Sequence, residues 1–216
     1  MGIPTLLCAM LFVPSAFAGD VTVDNPSFET LPAAGLPFGC GTGCSYSVAP
    51  IPGWAAVGSF GQFQPGPPAT TTYFDSVPDG ITVAYSNGGT ISQTVGPTVQ
   101  NGVTYTFTVD VGARNDYPFD GSAALVFGDT VCDTATGSAP VLGNWSVYTA
   151  TCTGTLGEVG EPITIQLNSS GAQGDFDNVV MTDSLSAIPE PSTLTLFGSG
   201  LLAMAYLFRR KRFAQS

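Results

Sequence analysis

Short segments that alternate apolar and polar residues fill the middle of this chain, and Gly, Pro and Asn separate one segment from the next. Alternation with a period of two is typical of half-buried β-strands, and no stretch of this region shows the period of an amphipathic helix. About eight strands at such regular spacing predict an all-β fold, a two-sheet antiparallel β-sandwich of the jelly-roll type. The segments are residues 81–85, 90–95, 103–111, 123–127, 145–153, 163–167 and 175–182.

The region before these segments is rich in Gly and Pro and carries scattered aromatic residues. We expect residues 35–71 to form long loops on one side of the sandwich. The chain shows no internal repeat, which argues against a β-solenoid or a propeller. The sandwich is therefore expected to be a single domain over residues 19–187.

An apolar segment at residues 6–13 is followed by small residues that suit cleavage, Ala16 and Ala18. This pattern predicts a signal peptide over residues 1–18, which signal peptidase would remove to leave Gly19 at the new N-terminus. In one respect the segment departs from the usual pattern, because no Lys or Arg precedes the apolar stretch.

Residues 188–216 combine three features in a fixed order. A Pro-Glu-Pro motif comes first, an uncharged apolar run over residues 193–208 follows, and a basic cluster ends the series. The run would span about 25 Å as a helix, enough for one transmembrane crossing if the flanking cations reach the interface. Cations after the run place the C-terminus in the cytoplasm. The motif is Pro189, Glu190 and Pro191, and the cluster is Arg209, Arg210, Lys211 and Arg212.

This order of motif, apolar helix and basic cluster resembles the PEP-CTERM sorting domain. The resemblance implies that an exosortase recognises the tail and removes the helix near the motif. It also implies export across the inner membrane of a Gram-negative bacterium, to the cell envelope or the extracellular polysaccharide matrix. A permanent C-terminal membrane anchor is the simpler alternative interpretation of the same residues.

Charge is distributed unevenly along the chain. All sixteen acidic residues lie between Asp20 and Glu190, and this region contains one cation, Arg114, so its net charge is −15. Such a surface repels nucleic acid, which excludes nucleic-acid binding, and it attracts divalent cations. Solubility outside the cell is an equally good explanation of the acidity.

Four cysteines remain after removal of the signal peptide, and an even number in an exported chain predicts disulfides. Three pairings are possible, of which we expect the two local ones. Cys40–Cys44 would close a Gly-rich loop, and Cys132–Cys152 would link neighbouring strands. A zinc site is the alternative, but the chain contains no histidine to complete it.

Four short motifs occur in an order similar to galactose-binding-like jelly rolls, a group that includes several carbohydrate-binding modules. The resemblance implies that the first and last strands pair and that a structural calcium ion lies where they meet. Glu29 and Asp177 match its acidic positions, with Asp24, Asn25 or backbone carbonyls completing the shell. The alternative is that Asp177 caps a turn and Glu29 is solvated. The motifs are residues 24–29, 52–54, 144–148 and 175–179.

The absence of histidine removes Ser-His-Asp and Cys-His catalysis and most catalytic zinc sites. A pair of carboxylates could still hydrolyse a glycosidic bond, and Asp116 with Asp120 or Glu158 with Glu161 are the candidates. With so many acids in the domain, however, some pairs fall close together by chance. We therefore expect a protein that is not an enzyme.

The loop after the longest predicted segment is the best candidate for ligand binding. Sugars are held by aromatic faces together with planar polar groups, and this loop supplies both kinds of side chain. Its candidates are Arg114, Asp116, Tyr117 and Phe119, with Tyr73 from an earlier loop. The alternative is that Arg114 is paired for structural reasons and that the aromatic residues cover the sandwich.

These observations predict a non-catalytic exported protein that binds glycan or forms part of the exopolysaccharide matrix of a biofilm. A polysaccharide hydrolase is one alternative. An ice- or surface-adhesion protein is another, although Thr70-Thr71-Thr72 is the one run of consecutive threonines and a flat Thr-x-Thr array is not expected.

Overall fold

The structure, a computed structural model, describes residues 18–41, 43–66, 70–185, 198–201 and 204. Residues Phe17–Leu185 form a compact unit of their own, which is almost entirely β-structure as the sequence predicted. Its elements are β1 (Ala18–Val21), β2 (Phe38–Gly39), β3 (Ser45–Ser47), β4 (Ala55–Gln64), α1 (Thr70–Tyr73), β5 (Val83–Thr98), β6 (Val103–Gly112), β7 (Ser122–Phe127), β8 (Thr130–Thr134), β9 (Trp145–Thr153) and β10 (Pro162–Leu185).

The strands form two antiparallel layers that share β10. The first layer has the order β2-β3-β4-β5-β10-β7-β8, and the second has the order β1-β10-β6-β9. The predicted two-sheet sandwich is confirmed. The first and last strands of the domain pair as the galactose-binding-like resemblance implied, with Val21 opposite Met181.

The 24 residues of β10 run through both layers. Its first part, residues 162–169, lies between β5 and β7, and its last part, residues 180–185, pairs with β6. Register shifts fall between Ser169 and Gln173 and between Asp177 and Val180, where β10 leaves one layer for the other. Irregularities of this kind increase local twist and let a strand bend.

Apolar residues from the inner faces of both layers form the main core. Tyr105, Phe107, Ile165 and Leu167 are fully buried there, and Trp54 lies at its edge against Phe28. The alternation that predicted the strands thus places one side of each strand inside. A second, smaller cluster adjoins the end of β4 and α1 and consists of Cys44, Phe63, Tyr73, Phe74, Val83 and Tyr85.

Both predicted disulfides are present. Cys40 and Cys44 close a short loop beside the smaller cluster, with 5.1 Å between their Cα atoms. Cys132 of β8 and Cys152 of β9 connect the edges of the two layers, with 6.2 Å between their Cα atoms. The second bond therefore joins strands that belong to different sheets.

The prediction of loops over residues 35–71 is wrong. This region supplies β2, β3 and the ten-residue strand β4, whose glycines serve close strand packing instead of turns. A Cβ atom on Gly61 would lie 1.9 Å from the carbonyl oxygen of Ser47, so only glycine fits where β3 approaches β4. The segments 81–85 and 90–95, predicted separately, belong to one strand, and so do 163–167 and 175–182.

The expectation that the chain lacks a Thr-x-Thr array is also wrong. On the outer face of the second layer, threonines of β6 and β9 stand directly opposite one another. The pairs are Thr104 with Thr153, Thr106 with Thr151 and Thr108 with Thr149. Each of the two Thr-x-Thr-x-Thr runs, at residues 104–108 and 149–153, is visible in the linear sequence. Their side-by-side alignment follows from the pairing of β6 with β9.

Several predictions concern residues outside those described. The signal peptide up to residue 17, the Pro-Glu-Pro motif and the basic cluster lie there, as does most of the apolar run over residues 193–208. Within the described residues, no helix is long and apolar enough to cross a membrane.

A candidate ligand pocket

A cavity of about 250 Å³ opens beside the smaller aromatic cluster. Strands β3, β4, β5 and β10, the segment between β2 and β3 and the loop after β6 contribute its walls, which combine aromatic rings with amide and guanidinium groups. The lining residues are Cys40, Tyr46, Phe63, Tyr85, Asn87, Arg114 and Gln173.

Arg114 is held over this cavity by rings on one side and polar groups on the other. Its guanidinium carbon lies 4.4 Å from the centroid of the Tyr73 ring and 5.7 Å from that of Phe63. It donates two hydrogen bonds to the carboxylate of Asp116, from Nε at 2.9 Å and from Nη2 at 2.7 Å. A third, from Nη1, goes to Oε1 of Gln173 at 2.9 Å. These contacts fix the guanidinium plane and compensate its charge.

Gln173 links Arg114 to a buried acid. Its Nε2 donates to Oδ1 of Asp175 at 2.8 Å, and Asp175 is 1% exposed. Burial raises the pKa of Asp175 to about 7, although the hydrogen bond from Gln173 and the charge of Arg114 act in the opposite direction. Asp175 therefore holds a proton up to near neutral pH, and it lies behind the cavity wall, outside the lining.

Two tyrosines fix the geometry of the wall. The hydroxyl of Tyr85 donates to the backbone carbonyl of Ser47, and burial raises the pKa of Tyr85 to about 12. The hydroxyl of Tyr73 donates to the backbone carbonyl of Cys40, which connects α1 to the Cys40–Cys44 loop. Both hydroxyls are committed to backbone partners; Tyr85 lines the cavity, and the Tyr73 ring supports Arg114 from outside the lining.

One polar atom of the lining lacks a partner. Oδ1 of Asn87 is buried and accepts no hydrogen bond from the residues that the structure describes. A buried acceptor without a donor costs free energy, and a ligand hydroxyl in the cavity would relieve that cost.

The structure brings together four of the five predicted ligand residues. Asp116 and Tyr73 contact Arg114, and the Tyr117 ring lies 5.9 Å from its guanidinium carbon. Phe119 is placed differently, because it forms a β-bridge with Gln173 and packs against the main core. Of the predicted set, Arg114 alone lines the cavity itself.

Sequence reasoning missed most of the lining. Phe63 lies in the region predicted as loops, and Tyr46, Asn87 and Gln173 come from three different strands. One signal was available in the sequence: two acids, Asp175 and Asp177, lie within a predicted strand, and the structure buries both. An acid at an inward position indicates a special environment.

The acid pairs considered for glycoside hydrolysis have separate roles. Asp120 accepts hydrogen bonds from Ser170 and Gly171, and the Ser170 hydroxyl is the main cause that lowers its pKa. The pKa of the exposed Glu158 is lowered chiefly by the hydroxyl of Thr155. A glycosidase needs one acid whose pKa is raised, so these two carboxyls lack the property of its proton donor.

The residues predicted to bind calcium approach one segment of the chain. Glu29 accepts hydrogen bonds from the backbone nitrogens of Ile81 and Thr82, and Asp177 accepts one from that of Asp79. Burial raises the pKa of Asp177 to about 8, and the acidic neighbours Asp79 and Asp110 add to the shift.

A divalent cation would suit this surplus of carboxylates, and Glu29 and Asp177 are the residues that would hold it. Asp24 is bound elsewhere, through its backbone to Gln93. Among the described residues there is no group of three or more His, Cys, Asp or Glu side chains placed to hold a metal ion. Calcium binding stays a prediction, and it would require backbone carbonyls.

Comparison with solved structures identifies relatives of the same fold. A cyclase from Fischerella sp. TAU aligns with a TM-score of 0.64 and 21% identity, over 80% of this chain and all of that one. The Stig cyclase Fisc from Fischerella sp. TAU, solved with (3Z)-3-(1-methyl-2-pyrrolidinylidene)-3H-indole, aligns with a TM-score of 0.63 and 23% identity, over 77% of this chain and 98% of that one.

A carbohydrate-binding relative is more distant. The CBM22-1 xylan-binding domain of Paenibacillus barcinonensis Xyn10C has a TM-score of 0.43 and 14% identity, over 75% of this chain and 93% of that one, too low to support an argument about function. No curated protein matches the sequence. At these identities, the structural likeness to the cyclases establishes the fold alone.

Two sequence families account for the chain. The PEP-CTERM protein-sorting motif matches residues 187–212, which confirms the predicted tail and the export and exosortase-dependent sorting that it implies. The HpiC1-like family, described as HpiC1 cyclase, matches residues 19–182. The chain is thus a member of the HpiC1-like cyclase family that carries a PEP-CTERM sorting tail.

Proposed function

We propose that the exported domain is a non-catalytic glycan-binding module of the cell envelope or extracellular matrix, and that its cavity holds one sugar unit of an extracellular polysaccharide. The observation that supports this proposal most is that the Arg114 guanidinium, aromatic ring surface and the unpartnered Oδ1 of Asn87 meet in one cavity. Sugars are recognised through their C–H faces by aromatic rings and through their hydroxyls by planar polar groups.

The size of the cavity and the charge of the domain limit which sugars could bind. A volume of about 250 Å³ is below the usual range of small-molecule pockets, so it suits a single ring at the end or a branch of a glycan. The domain is strongly acidic, and the charge of its single cation is compensated by Asp116. An acidic polysaccharide would be repelled, so the proposed ligand is a neutral sugar.

An acid-assisted cyclase is the second candidate, and a specific observation favours it. The family carries a cyclase name, and Asp175 keeps its proton up to near pH 7, as a general acid should. Aromatic walls would also suit a cationic intermediate. Against this candidate, Asp175 does not line the cavity, and Gln173 separates it from the space a substrate would occupy.

Titration calorimetry of residues 17–187 with neutral oligosaccharides from the polysaccharide of the producing organism tests the proposal. This fragment contains the compact unit with both disulfides and both cores. Saturable binding that Arg114→Lys weakens, and that Thr94→Ala on the outer face of β5 leaves unchanged, would support glycan binding. A failure to bind any of these sugars would refute it.

The same fragment distinguishes the cyclase. Turnover of an indole-containing substrate that is lost in Asp175→Asn, without a loss of folding, would favour the second candidate over the first. Glycan affinity that survives Asp175→Asn would instead fit the binding module, in which Asp175 acts behind the wall.

A further inference from the structure

The outer face of the second layer carries a grid of nine side chains on three adjacent strands. Cross-strand register places them in three rows, each with one residue from β9, β6 and β10. The rows are Thr153, Thr104 and Ser184; Thr151, Thr106 and Thr182; and Thr149, Thr108 and Val180. Eight of the nine side chains are hydroxyl-bearing, and seven of them are threonine.

The spacing of this grid follows from strand geometry. Neighbouring strands lie about 4.8 Å apart, and alternate residues of one strand lie about 6.7 Å apart, so the hydroxyls repeat in two dimensions. Threonine is stiff about its first side-chain bond, which keeps each methyl and hydroxyl in a defined direction. Thr104 and Thr153 are also joined directly, with 2.8 Å between their hydroxyl oxygens.

The face is accessible and its edge is closed to other strands. Thr149, Thr151 and Thr153 are exposed, and the threonines of β6 are half-buried between their neighbours. At the free edge of β9, the backbone nitrogen of Thr151 donates to Asp133, and Thr149 is bridged to Thr136. The edge backbone at Thr149 and Thr151 therefore already has hydrogen-bond partners. A binding partner would contact the side chains of the grid instead of pairing as a further strand.

The side chains of the threonine grid indicate which kind of surface it could bind. The domain has a net charge of −14, yet none of the nine positions is charged or aromatic; the middle row meets a carboxylate only at its margin, where Asp20 of β1 lies opposite Thr182. Mineral surfaces are ionic and would be bound by carboxylates, and crystalline glycans present sugar faces that are bound by rings. An uncharged, repeating array of methyl and hydroxyl groups instead suits a solid whose surface is a repeating lattice of water.

We propose that this threonine grid is an ice-binding face. Each hydroxyl alone would compete poorly with liquid water, so the occupant must repeat with the grid to gain from many weak contacts at once. The ordered rows supply hydrogen-bonding groups and methyl groups at the regular spacings of the sheet, about 4.8 Å between strands and about 6.7 Å along them. The activity is independent of the sugar pocket, whose lining includes none of these residues.

Ice-affinity partitioning of residues 17–187 tests the proposal. A cold finger is grown slowly in a dilute solution of the protein, and the fraction taken up by the ice is compared with that of albumin. We expect the wild-type domain to be enriched in the ice and to slow recrystallisation of frozen sucrose. Thr151→Lys, in the exposed middle row, should reduce the uptake at least tenfold because a long cation disrupts the fit.

Matched variants separate the grid from general effects. Thr94→Lys places the same side chain on the outer face of the other layer, where Thr94 bonds to Thr164, and it should leave ice uptake unchanged. Arg114→Lys should also leave it unchanged. Thermal melts establish that all variants fold.

Wild-type uptake no greater than that of albumin would overturn the proposal, as would an equal loss in Thr94→Lys. Retention on crystalline cellulose without uptake into ice would overturn it too, and would assign the grid to a solid glycan. A loss of sugar binding while ice uptake is unchanged would count against the sugar pocket and would leave the ice-binding proposal supported.

Discussion

The guanidinium carbon of Arg114 lies 4.4 Å from the centroid of the Tyr73 ring, while Nε and Nη2 of the same group donate hydrogen bonds to the carboxylate of Asp116. One side chain thus connects the loop after β6 with α1, and through Gln173 with β10. The only cation between Asp20 and Glu190 therefore stands where three elements meet at the pocket.

Replacing Arg114 by Lys should weaken sugar binding about tenfold, since a lysine keeps the charge but loses the rigid fork that reaches Asp116 and Gln173 together. Titration calorimetry on the folded variant measures the change. Asp129→Asn, at an exposed position between β7 and β8, serves as the control. An unaltered affinity in Arg114→Lys would show that the fork plays no part in recognition.

The pH dependence of stability should carry the signature of Asp175. Its pKa is about 7 in the folded protein and 3.8 for the ordinary group, so the folded state holds the proton more tightly. The stability this gives is fully present below pH 3.8 and is lost as the pH rises through about 7.

Relative to Asp175→Asn, the wild-type free energy of unfolding should therefore fall between pH 4 and pH 8, by up to about 4 kcal/mol. Urea denaturation of both proteins across this range measures the difference. Subtraction removes the contribution of other groups, including Asp177. A difference that stays constant with pH would contradict the assignment.

The two disulfides should contribute in different ways. Removing the bond between Cys132 and Cys152 by double substitution to Ala should cost about 3 kcal/mol, because it frees a loop of 20 residues in the unfolded chain. Removing the Cys40–Cys44 bond should cost less stability and more sugar affinity, since Cys40 lines the cavity and accepts the Tyr73 hydroxyl. If the two removals change the free energy of unfolding and the sugar affinity by equal amounts, the two disulfides do not have these different roles.

Calcium should raise the thermal stability of the domain. If an ion binds at Glu29 and Asp177, a chelator should lower the melting temperature by several degrees, and excess calcium should restore it. The Asp177→Asn variant should lose the response, whereas Asp129→Asn should keep it. A melting temperature that changes with neither chelator nor calcium would contradict the predicted calcium site.

Tail removal should be visible in the mature protein. We expect intact-mass spectrometry of material from the producing bacterium to show a chain without residues 209–212, and a strain that lacks its exosortase to retain them. Recovery of the basic cluster in the wild-type strain would instead identify a permanent membrane anchor.

The sequence predicts the parts of this fold that alternate cleanly. Strand β9 and most of β6 coincide with predicted segments, because one side of each strand is buried and the other is not. Strand β4 was missed since its glycines look like turn residues. Gly58 has a φ of 88°, and a Cβ atom there would lie 2.5 Å from the carbonyl oxygen of Gly88, so close contact with β5 requires glycine.

The candidate site was predicted where its residues are close in sequence and missed where they are not. Arg114, Asp116 and Tyr117 share one loop, and their composition alone suggests recognition. Phe63 and Gln173 reach the same cavity from β4 and β10, a meeting set by strand order that no local pattern encodes. The threonine runs of β6 and β9 can be read in the sequence, but their alignment into one grid depends on the same strand order.

The position of β10 has a consequence for export. This strand pairs with four others and belongs to both layers, yet it is the last strand before the sorting tail. A chain that crosses the membrane from its N-terminus cannot complete the first layer until the first part of β10 has emerged, and cannot complete the second until residue 185 has emerged. Completion of folding therefore coincides with arrival of the tail at the membrane. An exosortase that acts on the tail would then release a cargo whose last strand has only just become available for pairing.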